Sequence, residues 1–136
     1  MDFDKTMMIA ASGMKAQGAR MKVLAENVAN SDSLALTPDG QPYRRRIPAF
    51  RAEMNREMGV SVVKMDKTVP DMSPFGLRHD PYHPAADENG YVKTPNVNSL
   101  IESMDMRKAQ QSYEANLNVI EAARSMMMKT IDLLQR

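Results

Sequence analysis

The chain carries only two histidines, His79 and His83, with Asp80 and Asp87 close by in sequence. Imidazole and carboxylate are ligands for divalent metals, but a zinc site needs several of them converging at fixed angles. Pro81 lies between the two rings and prevents a continuous helix from presenting both on one face. A polar loop accounts for them, and no metal or other cofactor is expected. Ser12, Ser112 and Ser125 are nucleophiles by composition alone. None sits in a nucleophile-elbow pattern, and both histidines lie in the Pro-interrupted loop. Cys is absent, which removes disulfides, thiolate metal sites and thiol catalysis. Asp87-Glu88-Asn89-Gly90 offers oxygen ligands and a glycine, without the spacing and terminal glutamate of a calcium loop. A turn is its simpler use. No glycine-rich phosphate loop is present, because Gly13 and Gly18 fall inside a helical pattern. Neither an enzyme nor a small-molecule substrate is expected.

Arg44-Arg45-Arg46, followed by Arg51 and Arg56, is the one local basic patch. Glu53 and Glu57 interrupt it, and the whole chain balances 18 Lys and Arg against 17 Asp and Glu, a net charge of +1. Phosphate binding needs clustered positive charge, and single-strand binding needs aromatic platforms. With 4 Tyr, 3 Phe and no Trp, no nucleic-acid partner is expected. Solvation or a salt-bridged subunit contact serves the arginines as well. The longest apolar run near the start, Met7 to Ala11, is far short of a membrane span. Asp2 and Asp4 beside Lys5 do not resemble the start of a cleavable signal peptide.

The elements that must position all of this are marked by proline. All 8 prolines, Pro38, Pro42, Pro48, Pro70, Pro74, Pro81, Pro84 and Pro95, lie in the middle of the chain. Proline removes a donor and clashes with the preceding helical turn. The chain therefore divides into a helical N-terminal part, 1–32, a Pro-rich middle, 33–95, and a helical C-terminal part, 96–136. The fold expected is mainly α: two long terminal helices packed as an antiparallel, coiled-coil-like pair, with an extended or small β segment between them.

The first helix, roughly 4–29, carries Met7, Met14, Met21 and Val28 at seven-residue spacing. Ala11, Gly18 and Ala25 form a second row, four positions on. Together they make one soft, shallow stripe. Gly18 costs about 1 kcal/mol of helix propensity, which close packing of a partner backbone would justify. The second helix, about 99–135, repeats Met106, Tyr113, Ile120, Met127 and Leu134, widened by Ala109, Leu117, Ala123 and Ile131. Arg124 interrupts one offset row. Ser99 with Glu102 reads as a capping box, with Asn96 or Asn98 as alternatives. Helices of these lengths span ~40 and ~55 Å, much longer than a compact globule of this size would house. Part of the longer one must seek other chains, and 14 methionines suit irregular contacts of that kind. In the middle, Asp39-Gly40 and Asn89-Gly90 are turn signals. Gly59–Met65 reads as a strand, Tyr91-Val92 as the start of a returning one, and Pro70 to Pro84 as loop.

A family resemblance rests on these elements. Ser12-Gly13-Met14-Lys15-Ala16-Gln17, Arg20-Met21 and Ala25-Glu26-Asn27-Val28-Ala29-Asn30 resemble the N-terminal signature of the bacterial flagellar rod, hook and hook-associated proteins. His83-Pro84, Ala86-Asp87-Glu88-Asn89-Gly90-Tyr91-Val92, Pro95-Asn96-Val97-Asn98 and Ser112-Tyr113-Glu114-Ala115-Asn116 are similar to its short proximal-rod branch. Asn27, Asn30, Asp87, Asn89, Gly90, Tyr91, Pro95, Asn96, Tyr113, Glu114 and Asn116 are thus the family-motif positions. Ser31-Asp32-Ser33-Leu34-Ala35 departs from the Thr-containing stretch common after the first signature. The resemblance implies a structural subunit, exported by the flagellar type III system without a cleaved signal. It would polymerise with its own copies and other rod proteins into the periplasmic drive shaft that encloses the export channel. Its base would meet the MS-ring and export apparatus. A helical-hairpin adaptor or export chaperone would use the same stripes but leave the Pro-rich middle without a task.

Overall fold

A computed structural model describes residues 2–135. Helix α1 runs Phe3–Ala29 and α2 runs Ser99–Leu134. Between them lie six short strands, β1 Arg46–Ile47, β2 Phe50–Asn55, β3 Val60–Met65, β4 Val69–Pro70, β5 Gly76–His79 and β6 Tyr91–Thr94. They pair antiparallel as β1 with β4, β2 with β3 and β5 with β6. The helices hold 27 and 36 residues, a little under half the chain. The fold is two long helices with three small β pairs, less helical than "mainly α" implies.

Local chemistry sets the ends of the helices. Asp2 opens α1: its Oδ1 accepts the Lys5 N–H at 3.2 Å and its carbonyl accepts the Thr6 N–H at 3.2 Å, and its charge suits the positive end of the helix dipole. Asn30 closes it, with its backbone and side-chain N–H groups both donating to the Glu26 carbonyl at 3.1 and 2.8 Å. Asn98, not Ser99, caps α2, its Oδ1 accepting from the Leu100 and Ile101 N–H groups at 3.1 and 3.4 Å. Glu102 therefore forms no capping box with Ser99. It lies one position too deep and turns into the protein, where it is fully buried.

The stretch from Pro70 to Pro84 is not all loop. β5 fits between Pro74 and Pro81, where neither ring interrupts its ladder with β6. The β2–β3 hairpin closes through Asn55, whose Oδ1 accepts from the Glu57 and Met58 N–H groups at 3.1 Å each, and through Gly59 at φ 67°. That left-handed conformation favours glycine.

The chain forms two compact units. One comprises residues 1–21, 49–66 and 107–136, and holds the first part of α1, the β2–β3 hairpin and most of α2. Its buried apolar residues are Ala10, Ala16, Val62, Ala109 and Ala123. Four of these five are alanines, so this unit is built on close backbone approach rather than bulk. Gly13 shows the tightness: a Cβ there would lie 2.8 Å from Asn116 Nδ2. Ser12 Oγ ties the hairpin down, accepting the Val63 N–H at 3.2 Å while donating to the Ile9 carbonyl at 2.7 Å.

The other unit comprises residues 22–48 and 67–106. It holds the end of α1, the β1–β4 and β5–β6 pairs and the start of α2. Val23, Leu24, Ala85 and Val92 are its buried apolar residues, joined by the polar pair Asn27 and Glu102. Gly90, at φ 81°, closes a turn in which its N–H donates to the Asp87 carbonyl at 3.0 Å. A Cβ on Gly90 would lie 3.0 Å from the Pro81 ring.

Candidate functional site

The most heavily bonded cluster is a polar clasp in the second unit, built on the tripeptide Arg44-Arg45-Arg46. Asn27 sits at its centre with no solvent exposure. Its Nδ2 donates to the Arg46 carbonyl at 2.9 Å and to Glu102 Oε2 at 3.0 Å. Its Oδ1 accepts from the Arg46 N–H at 3.0 Å and from the Tyr43 hydroxyl at 2.7 Å. Both donors and both acceptor sites of the amide are thereby used, which an apolar or charged side chain could not reproduce. Asn27 lies within the last turns of α1.

Glu102 reaches the same point from the first turns of α2. Arg45 Nε donates to its Oε1, and Arg45 Nη1 meets Asp71 Oδ2 at 3.2 Å. The Arg45 N–H donates to Asn96 Oδ1 at 2.8 Å, and Asn96 Nδ2 donates to the Asp71 carbonyl at 2.9 Å. Arg44 Nη1 donates to the carbonyls of Asp71 and Ser73 at 2.7 and 3.1 Å, and its guanidinium lies 4.1 Å from the Phe75 ring centre. Arg46 pairs with Glu26 at 3.5 Å and donates to Thr68 Oγ1. Each arginine is thus directed onto its own chain.

Charge follows the same pattern. Burial works to lower the Arg45 pKa, but Glu102 and then Asp71 outweigh it, and the value stands above the usual arginine value. The Ser73 N–H, with further help from the Ser73 side chain and Arg45, holds the Asp71 carboxyl below the usual carboxylate range. Burial pushes the Tyr43 phenol up.

The remaining family-motif positions hold turns and caps. Asn30 accepts the Ser33 hydroxyl at 3.0 Å. Asp87 Oδ1 accepts the Asn89 and Tyr91 N–H groups at 2.9 Å each, which shapes the turn around Gly90. Asn89 itself is exposed and Pro95 is buried. The Tyr91 ring meets the His79 ring edge-on at 5.1 Å. His83 Nδ1 accepts the Ala85 N–H at 3.0 Å. In the first unit, Asn116 packs over Gly13, Tyr113 is half-buried and Glu114 is exposed.

The two stripes lie where a single chain leaves them partly open. On α1, Met7, Met14, Gly18, Met21 and Val28 are half-buried, while Ala11 and Ala25 are exposed. The fully buried positions of α1 are instead Ala10, Ala16, Val23, Leu24 and Asn27, a face turned by roughly a third of a turn from the stripe. A Cβ on Gly18 would meet nothing within 4 Å, so no neighbour among the described residues requires a glycine there. On α2, Met106, Tyr113, Ile120 and Met127 are half-buried, with Ala109 and Ala123 buried beside them. Leu117, Ile131 and Leu134 are exposed. Arg124 is exposed too, so its place in an offset row carries no buried charge.

The row Ala10, Gly13, Gln17, Leu24, Asn27 was open to detection by its three-, four- and seven-residue spacing. Its polar members hid it. The clasp's second half, Arg45 with Glu102, left no signal, because the partners stand 57 residues apart. Among the described residues, no group of three or more His, Asp or Glu is placed to hold a metal ion. None of the described helices is long and apolar enough to cross a membrane.

Known proteins resemble the chain at both ends and across its length. Residues 7–33 match a family model described as flagella basal body rod protein. Residues 88–133 match one described as flagellar basal body rod FlgEFG protein C-terminal. A protein named flagellar basal-body rod protein FlgC in Agrobacterium fabrum is 47% identical over 127 residues, covering 93% of this chain and 91% of that one. Proteins of the same name in Salmonella typhimurium and Borreliella burgdorferi are 40% and 37% identical, each alignment covering 93% of this chain and 94% of the relative.

Proposed function

The chain belongs to the FlgC family of flagellar basal-body rod proteins, and from that premise we propose how its structure serves the rod. It is a structural subunit of the flagellar basal body. Its helices pack antiparallel within the chain and present their stripes to neighbouring copies and to other rod proteins. Two contacts support the antiparallel pair: Gly13 faces Asn116, and Asn27 bonds Glu102. Positions that rise along α1 meet positions that fall along α2.

The observation that carries the assembly reading is the uncovered apolar end of α2. Met126, Met128, Ile131, Leu133 and Leu134 are between 41% and 82% exposed. An isolated helix gains nothing from such residues, whereas burial against further chains returns about 25 cal/mol per Å². Many such contacts make a stiff wall, which torque transmission needs. On this reading the parts 1–32, 33–95 and 96–136 are an axial helix, a Pro-rich bracket and a second axial helix. The Met7, Ala11, Met14, Gly18, Met21, Ala25, Val28 stripe and the Met106, Tyr113, Leu117, Ile120, Met127, Ile131, Leu134 stripe are contacts between subunits. The family-motif residues Asn27, Asp87, Gly90 and Asn96 hold the bracket in shape. The chain is delivered by the flagellar export system, occupies the periplasmic part of the rod around the export channel, and meets the MS-ring and export apparatus at the base.

Image reconstruction of basal bodies, with and without this chain, tests the reading. The expected result is a rod that stops at the basal ring when the chain is missing, and density for two adjoining long helices per subunit when it is present. Complete rods without the chain would end it.

A further inference from the structure

Tyr82 is 98% exposed, the highest value of any large apolar or aromatic side chain among the described residues. Its loop is well fixed. The Asp80 N–H donates to the Gly90 carbonyl at 2.9 Å, the His83 N–H to the Asp80 carbonyl at 3.2 Å, and the Ala86 N–H to the His83 carbonyl at 3.0 Å. Pro81 and Pro84 flank the ring and fix φ on either side. Little conformational entropy is left for a partner to remove, which is the condition for an efficient anchor. Tyrosine is also among the residues that dominate binding energy when they fill a pocket.

The first unit holds a groove of that scale. About 280 Å³ of space lies between α1 and β3, with Ser12, Lys15, Ala16 and Ala19 on one wall and Val63 and Met65 on the other. The volume falls at the lower limit of small-molecule sites, ~300 Å³, and suits one aromatic side chain. The walls are chiefly apolar. Lys15, at the rim, is exposed and makes no ion pair among the described residues. The Tyr82 loop carries Asp87 and Glu88, both exposed and likewise without a salt bridge there. Knob and groove match in size, polarity and rim charge.

We propose that the Tyr82 loop of one copy seats in the α1–β3 groove of the next copy, with the phenol ring over Ala16 and Ala19 and the loop carboxylates towards Lys15. The proposal rests on the rod reading and adds the contact that orders its subunits. The two surfaces lie on different parts of the chain, so the contact is head-to-tail. Contacts of that type repeat into rings or open helices rather than closed two-fold pairs. A tubular wall requires that kind of repeat.

The natural absence of cysteine gives the test a clean background. Basal bodies carrying Tyr82→Cys with Ala19→Cys are oxidised with copper phenanthroline, which takes up the two electrons released as two thiols become one disulfide. Dimers and higher multiples of this chain are expected in the double variant and in neither single one. Rods at normal number without that ladder, or a product joining position 82 to a different protein, overturn the contact and leave the rod reading intact. Absence of the unaltered chain from purified basal bodies would sink the rod reading itself. Should the cysteine pair prevent assembly, benzoylphenylalanine placed at Tyr82 keeps an aromatic ring and reads the same contact by light. An adduct within residues 12–19 or 62–65 of a second copy supports it, and any other adduct, or none, overturns it. Lys15→Glu is expected to cut rod number about tenfold, equivalent to 1.4 kcal/mol, and Glu88→Lys to restore it. Normal rods in Lys15→Glu, or no rescue, contradict the charge match.

Discussion

The two units are stabilised by opposite chemistry. The unit that contains the β2–β3 hairpin buries alanines and a glycine contact, and its polar ties are few. The unit that contains the β5–β6 pair closes around a fully buried asparagine and a fully buried glutamate whose donors and acceptors are matched. Small apolar contacts are forgiving: each is individually weak, and loss of one is shared among neighbours. A buried charge pair is unforgiving, because removal of one partner strands the other in a medium that does not solvate it. One unit is suited to sliding adjustment against other helices, the other to holding a single shape.

The sharpest way to break this contrast is Arg45→Ala. It leaves Glu102 buried without its cation and should cost about 3–5 kcal/mol. Denaturant titration measures the loss, and hydrogen exchange should locate it in 22–48 and 67–106. A loss below about 1 kcal/mol would place the pair among inconsequential surface bridges. Gly90→Val comes next, at roughly 1–3 kcal/mol, since it forces a branched side chain into a left-handed conformation against Pro81. Lys93→Ala, exposed on β6, should stay within about 0.5 kcal/mol. Equal effects would remove the turn from the account.

In the alanine-lined unit a smaller pair of substitutions separates folding from assembly. Gly13→Leu overpacks Asn116, at about 1–3 kcal/mol, partly offset by ~1 kcal/mol of gained helix propensity. Gly18→Leu meets open space within the chain. It should leave the melting of the monomer unchanged or slightly raised and yet stop rods from forming. Normal rods in that variant would take Gly18 out of any subunit contact. The mildest effect is on pH. The Asp71 carboxyl is lowered in the folded chain, so its contribution is complete above the unfolded value, ~3.9, and fades as pH falls through the folded one. Asp71→Asn should therefore lose a little stability at neutral pH, flatten the acid limb of the stability profile, and converge on wild type as the carboxylate protonates in acid.

The contrast also explains what could be read from sequence. Proline placement separated the two helical ends from the middle, because a ring that cannot donate a hydrogen bond acts locally, and the seven-residue spacing with the capping residues set both helices to within a residue or two. Val60, Val62 and Val63 marked β3 through their branching. β2 stayed hidden although Phe-Arg-Ala-Glu-Met-Asn alternates apolar and polar residues: Arg, Ala, Glu and Met are good helix formers, and the partner strand β3 follows only after a turn. Asn27 and Asn96 were legible as family-motif positions, but their tasks were not. Those depend on Arg45, Arg46 and Glu102 arriving from elsewhere in the chain. The stripe on α1 was drawn about its methionines, while burial follows small and polar residues that hydrophobicity does not flag.

The Asn27–Glu102 bond joins groups 75 positions apart. Ribosomes release the N-terminus first, and a long intervening segment must find its path before such a bond can close. Three quarters of the polypeptide is therefore made before the lock can engage. Until then the second unit lacks the side-chain bond that joins the end of α1 to the start of α2.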